Sequence, residues 1–346
     1  MKRALALAVA SAFAVHTAYA DSGNVNISGW IEADVSYEDI TGKNVRDNLI
    51  AIDGRLNFTG TEDLGNGLST IWQIGAKINE GASTNQWNPS DIFGSNDTFV
   101  GLQGSFGKVR IGKMLTPYYE IVDWPLSAGG MGKIMDAGDP LKIGAGTYQD
   151  WKNGDRVDNS IRYDSPDFGG FSASAMYYTA ENKNTTGLNS HSFSSRLAYS
   201  NGDFNTSVGY QYQGDNGGTN GNKLRSLVWQ IGYNFGKFGL YGGIKQNKLS
   251  GNGLSEKRNY WMIGATFAAS DKLSFRAAFG KAGDQKGNFG SDDGAKEIAL
   301  QASYSLSKRT SAHLRFNQIK NDPGHAWYGE ANKRGRRYMF ILAHDF

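Results

Sequence analysis

Along most of the chain apolar and polar residues alternate with a period of two. Val25, Ile27, Gly29, Ile31, Ala33, Val35 and Tyr37 interleave with Asn26, Ser28, Trp30, Glu32, Asp34 and Ser36. Successive side chains of a strand point to opposite faces, so such a stretch predicts a strand with one apolar and one polar face. The pattern recurs at 50–59 and 226–235, and near 67–79, 96–104, 107–114, 158–164, 170–179, 191–200, 203–213, 237–247, 258–268, 272–282, 295–305, 309–319 and 334–346, for sixteen expected strands. Several are about ten residues long, the length of a tilted strand that crosses a hydrocarbon layer.

The connections between these strands alternate in length. Short ones fall at 62–67, 104–107, 165–169, 200–203, 236–237, 269–272 and 307–309, and long ones near 38–48, 80–95, 115–157, 180–190, 214–223, 248–257, 283–294 and 320–333. Short turns on one rim and long loops on the other are the pattern of a transmembrane β-barrel, with its periplasmic turns and extracellular loops. A two-sheet sandwich has no reason to keep it. An even number of strands brings both chain ends to one rim, where the first and last strands close the sheet and remove its edges. The expected fold is thus an all-β, sixteen-stranded antiparallel barrel. The stretch from about 115 to 157 is the large break in the rhythm, with Pro117, Pro125, Pro140 and seven glycines. Loops of that length inside a compact fold are uncommon and usually functional.

Composition agrees with a barrel. Mean hydropathy is −0.49, and past the leader no apolar run approaches the twenty residues of a membrane helix. Alternating strands never look hydrophobic on average, so a membrane barrel passes this filter. Met1-Lys2-Arg3, the apolar run Ala4–Val15 and Ala18-Tyr19-Ala20 form a basic, apolar and small-x-small series, so residues 1–20 are expected to be a cleaved export signal and 21–346 the barrel. The formal charge of +3 falls to +1 when Lys2 and Arg3 leave, which gives no electrostatic reason to expect nucleic acid. Without cysteine there is no disulfide or thiolate metal site. The acidic stretch 283–294 fails the spacing of an EF-hand and reads as a solvated loop tip, so no metal and no cofactor are expected. In the last strand Tyr338, Phe340, Leu342, His344 and Phe346 share one face, and aromatic residues near other strand ends, such as Phe58, Trp72, Tyr177, Tyr210, Trp229, Phe235 and Phe267, would form interfacial girdles. A terminal aromatic such as Phe346 is similar to the signal read by outer-membrane assembly machinery.

Four segments carry a family resemblance: Arg55–Leu68 (RLNFTGTEDLGNGL), Gly107–Lys113 (GKVRIGK), Arg156–Pro166 (RVDNSIRYDSP) and Tyr304–Thr310 (YSLSKRT). The chain resembles the general diffusion porins of β-proteobacteria and Neisseria over its whole mature length. The resemblance implies an outer-membrane pore of a Gram-negative cell, a homotrimer, and a third extracellular loop folded into the barrel. Thr59 departs from the family, which more often has a basic residue there, and the loop after Leu115 does not match closely; both bear on selectivity.

If Leu56, Phe58, Val109, Ile111, Ile161 and Tyr163 face lipid, then Arg55, Arg110 and Arg162 face the lumen, and Lys77, Arg196, Arg276 and Arg315 share that parity. Related anion-preferring porins place arginines at these motif positions. The plainer alternative is that these arginines pair with Glu32, Asp34, Asp53, Asp164 and Glu297. The long loop brings Glu120, Asp123, Asp136, Asp139, Asp150 and Asp155 against Lys133, Lys142 and Lys152. Loop acids opposite wall arginines would set a transverse field across the passage. Tyr118, Tyr119, Trp124, Met131 and Trp151 are expected to pack the loop on the wall. The expected function is passive diffusion of ions and small hydrophilic solutes, anionic or neutral by weak preference, in contact with outer-membrane lipids and lipopolysaccharide. The rival readings are a barrel hydrolase and a surface adhesin. Of the histidines, His313 alone has lumen parity on a strand, and no Gly-x-Ser-x-Gly elbow accompanies it, so catalysis is not expected.

Overall fold

A computed structural model describes residues 25–41, 47–81, 93–123, 156–182, 188–215, 219–288, 292–324 and 330–346. Sixteen strands wind up and down in chain order: β1 (Val25–Ile40), β2 (Asp47–Gly65), β3 (Leu68–Gly81), β4 (Phe93–Gly104), β5 (Gly107–Leu115), β6 (Arg156–Asp164), β7 (Phe171–Asn182), β8 (Leu188–Asn201), β9 (Phe204–Gly214), β10 (Lys223–Phe235), β11 (Phe238–Gly251), β12 (Leu254–Ala268), β13 (Leu273–Ala282), β14 (Ala295–Ser305), β15 (Thr310–Asn321) and β16 (Arg334–Asp345). Each pairs antiparallel with its neighbours, and β1 pairs with β16 from Trp30↔Asp345 to Ile40↔Gly335, so the sheet closes on itself. Gly29 and Phe346 exchange both backbone hydrogen bonds, each 3.0 Å, and finish that seam. A two-residue strand, Lys286–Gly287, pairs with β12 beyond the end of β13.

The two faces of the sheet are reversed relative to a water-soluble protein. Ile111, Leu197, Leu227, Ile263, Leu300 and Leu314 are exposed on the outside, while Ser194, Ser226, Gln230, Asn247, Glu297 and Asn317 are buried on the inside. An apolar surface running round the whole barrel is stable only in contact with hydrocarbon. Aromatic pairs cluster near the ends of the strands, as in Phe171 with Tyr199 at 4.3 Å and Phe238 with Phe267 at 4.6 Å.

Two expectations about the connections are corrected. The connection at 248–257 is not a long loop: β11 and β12 run on to Gly251 and Leu254 and meet in a two-residue turn at Asn252 and Gly253. Both turn residues have positive φ, 50° and 79°, the geometry that an Asn-Gly pair adopts at low cost and that matches strand twist. The break after β5 is not irregular throughout, since it opens with a helix, α1 (Pro117–Asp123). Thr116 caps it, accepting a hydrogen bond from the Tyr119 amide on its Oγ1 at 3.3 Å, and Pro117 occupies the first turn, where no donor is needed.

Candidate functional site

The site is built where β5 hands the chain to α1. The helix lies on the inner faces of β8, β9 and β10. Tyr118, Ile121 and Val122 pack on Val228, with Tyr119 alongside, and the Tyr118 amide, an unsatisfied donor of the first turn, is met by Ser194 Oγ on the wall at 3.0 Å. This fixes the direction of Glu120. Its carboxylate lies 2.6 Å from Arg162 Nη1 and 3.8 Å from Arg196 Nη1.

Arg110 on β5 and Arg162 on β6 stand directly opposite each other in register. Like charges so placed repel, and here Asp164 relieves the repulsion. One carboxylate oxygen lies 2.5 Å from Arg110 Nη2 and the other 2.6 Å from Arg162 Nη2. Arg162 also donates to the Leu115 carbonyl at 2.8 Å, and the Arg110 guanidinium lies 5.0 Å from the Phe99 ring centre. Beside them Arg156 pairs with Asp97 at 2.5 Å, and Asp97 also accepts from the Leu115 amide at 3.1 Å. The end of β5 is thereby held on both sides. Gly112, at φ 146°, makes the local bend possible, because a Cβ there would sit 2.3 Å from the Thr98 carbonyl oxygen.

A cavity of about 690 Å³ opens against this cluster, lined by Arg55, Arg110, Arg156, Arg162 and Arg196 together with Asp97 and Glu120. With Asp164 counted, five guanidinium groups meet three carboxylates, a net charge of +2 among the described side chains. The arrangement is a fixed, mostly ion-paired array beside this cavity, with the charge and geometry to act on ions that enter it.

Of the residues expected at the site, Arg55, Arg110, Arg162, Arg196 and Glu120 come together. Lys77 faces Arg55 in register on the inner surface. Arg276 on β13 and Arg315 on β15 also face inward but stand eight and six strands round the barrel from Arg110 on β5, with Arg315 Nε donating to Gln301 at 2.8 Å. The Asp123 side chain, Asp136, Asp139, Asp150, Asp155, Trp124, Met131 and Trp151 lie outside the described residues, as does 1–20. Asp97 and Arg156 were not anticipated, and Asp164 was anticipated only as an alternative partner. His313 faces inward, its two ring nitrogens 2.9 Å from the hydroxyls of Ser303 and Ser311, whereas His191 and His344 face outward and bond Tyr177 and Thr310.

A sequence profile described as Gram-negative porin matches residues 4–324. The chain belongs to the Gram-negative porin family. Among curated relatives this porin is 32% identical over 337 residues to the outer membrane porin protein 32 of Delftia acidovorans, covering 93% of this chain and 90% of that one. It is 26% identical over 305 residues to the major outer membrane protein P.IB of Neisseria meningitidis serogroup B, covering 84% of each. Among solved structures it is similar to an anion-selective porin from Comamonas acidovorans, with a TM-score of 0.76 and 26% identity, over 93% of this chain and 99% of that chain. This porin is an outer-membrane channel for passive diffusion, and its relatives are named as porins and outer-membrane proteins.

Proposed function

We propose that residues 115–157 narrow the channel, and that Arg55, Arg110, Arg162 and Arg196 opposite Glu120 give this porin a weak preference for small anions, with small neutral solutes also passing. The observation that carries the reading is the excess of guanidinium groups round the cavity at α1. In a narrow passage with protein walls such charges act more strongly than in bulk water. Lys77, Arg276 and Arg315 extend the basic wall, and Asp123, Asp136 and Asp139 add acids on the loop side. The name of the Comamonas structure supports the sign. The test is the zero-current potential across a planar bilayer in a salt gradient. Arg55→Gln with Arg196→Gln should move it toward cations, and an unmoved potential sinks the selectivity reading.

The same proposal takes residues 1–20 as a removed leader, the functional unit as a homotrimer among outer-membrane lipids and lipopolysaccharide, and Phe346 as a recognition point for assembly machinery. Mass spectrometry of the purified protein tests the first two through the N-terminus and the mass of the complex. Phe346→Ser should lower the yield of folded protein in the outer membrane. Release of fatty acid from lipid by the purified protein would instead favour the hydrolase reading.

A further inference from the structure

The inner wall at β13 to β16 carries a second set of basic groups, and one of them changes its charge near neutral pH. Arg315 on β15 stands opposite Gln301 on β14, which stands opposite Arg276 on β13. One inward position nearer the periplasmic turn, His313 stands opposite Ser303. Polar and apolar residues alternate through Ser311, Ala312, His313, Leu314 and Arg315, and Leu314 is exposed on the outer wall, so the imidazole and the Arg315 guanidinium both face the lumen.

The ring is held at both nitrogens. Ser303 Oγ lies 2.9 Å from Nδ1 and Ser311 Oγ 2.9 Å from Nε2. A hydroxyl can donate one hydrogen bond and accept two. In the neutral ring one nitrogen donates and the other accepts; in the protonated ring both donate, and the serines need only turn their protons. Ser303 also accepts from Gln301 Nε2 at 2.9 Å, and Gln301 accepts from Arg315 Nε at 2.8 Å. Uptake of a proton therefore breaks none of these contacts, and the charge arrives on a ring whose position is fixed.

The neighbours set the sign of the effect. Directly across on β16 is Ile341, with Met339 and Ala343 on either side. On β14 and β13 the facing groups are Ser303, Gln301, Ser274 and Arg276, and on β15 itself Ser311 and Arg315. At the turn below, Lys308 and Arg309 are exposed. The acids on this part of the wall are Glu32 and Asp34 of β1. Asp34 stands opposite Ile341, two strands and thus about 10 Å from the imidazole. Protonation adds a third positive charge beside Arg276 and Arg315. Imidazole is the side chain whose charge ordinarily changes between pH 5 and 8, whereas arginine, lysine and ordinary carboxylates keep theirs. Among the described histidines His313 alone faces the lumen, since His191 and His344 face outward against Tyr177 and Thr310.

We infer that His313 makes the anion preference of this porin depend on pH, adding a fixed positive charge to the passage as the pH falls. The inference rests on the charge-sorting reading of the inner wall and names a residue that tunes it.

The test is the zero-current potential of the purified porin in planar bilayers under a potassium chloride gradient, at pH 7.5 and at pH 5.5. A unit charge about 10 Å from an ion's path in water acts on anion and cation with opposite sign, and salt weakens it. The anion-to-cation permeability ratio of the wild type should therefore rise about threefold on going to pH 5.5. H313Q should hold the wild-type pH 7.5 ratio at both pH values, and H313R the wild-type pH 5.5 ratio at both. H191Q/H344Q should keep the wild-type step. An equal step in H313Q overturns the inference, as does a wild type without a step. A step lost only in H191Q/H344Q would put the titrating group outside the lumen and overturn it too. H313R keeps the measurement decisive if H313Q forms no channels. The selectivity reading fails separately, through a pH 7.5 potential that Arg55→Gln with Arg196→Gln leaves unmoved, because the step is read between two pH values of one protein.

Discussion

The inner face at β5 and β6 and the outer rim at β13 to β16 present the same electrostatic problem and resolve it differently. In both, basic residues face each other across the ladder, Arg110↔Arg162 inside and Lys281↔Lys296 outside. Inside, Asp164 bridges the two arginines and α1 adds Glu120. Outside, no described acid forms an ion pair with the lysines. A passage that must stay open to solutes needs its counter-charges anchored in the chain, or they would leave with the traffic. On the outer rim no described carboxylate takes the place that Asp164 takes inside.

This contrast can be broken most forcefully at Asp164. Asp164→Asn removes the shared acceptor of two largely buried guanidinium groups and should cost about 3 kcal/mol, read as a lower denaturant midpoint of the folded barrel; an unchanged midpoint would mean that the inner pair does not depend on its carboxylate. Thr116→Ala should cost about 1 kcal/mol by removing the helix cap. Because the cap acts on α1 alone, the loss should appear as faster amide exchange at Tyr119 with the barrel's midpoint nearly unmoved. Glu120→Gln takes one negative charge from the passage. At about 8 Å in water that is worth ~0.5 kcal/mol to a passing ion, with opposite sign for anion and cation, so the anion-to-cation permeability ratio should rise about fivefold in the same bilayer measurement. The smallest effect belongs to Asp158→Asn, which breaks the pair with Lys113 at 3.4 Å on the outer surface. With Asp158 mostly exposed, the change in midpoint should stay under about 0.5 kcal/mol, and a larger one would show that chain-made pairs matter outside as well.

The barrel was legible because period-two alternation survives wherever one strand face meets hydrocarbon. It stopped being legible at 248–257, where alternation continues with Lys248, Ser250, Ser255 and Lys257 instead of apolar residues and resembles a loop by composition. The Asn-Gly pair was the local sign of a hairpin. Helix α1 was hidden among prolines and glycines, although Thr116-Pro117 is a helix start and Tyr118, Ile121 and Val122 repeat at helical spacing. Arg55, Arg110 and Arg162 were assigned to the lumen face by parity alone. Asp97 and Arg156 were not found, because their meeting depends on irregular registers between β3 and β4 and between β5 and β6, and a bulge that shifts one strand against the next leaves little trace in a single sequence.

The turn at Asn252 and Gly253 has a consequence for how the cell surface can change. Loops absorb insertions and drift in sequence, whereas a two-residue turn with positive φ at both positions admits few residues and no extra length. An antibody or phage protein that grips this tip would hold a part of the extracellular rim with little room to vary, and escape from it would require rebuilding the ends of β11 and β12.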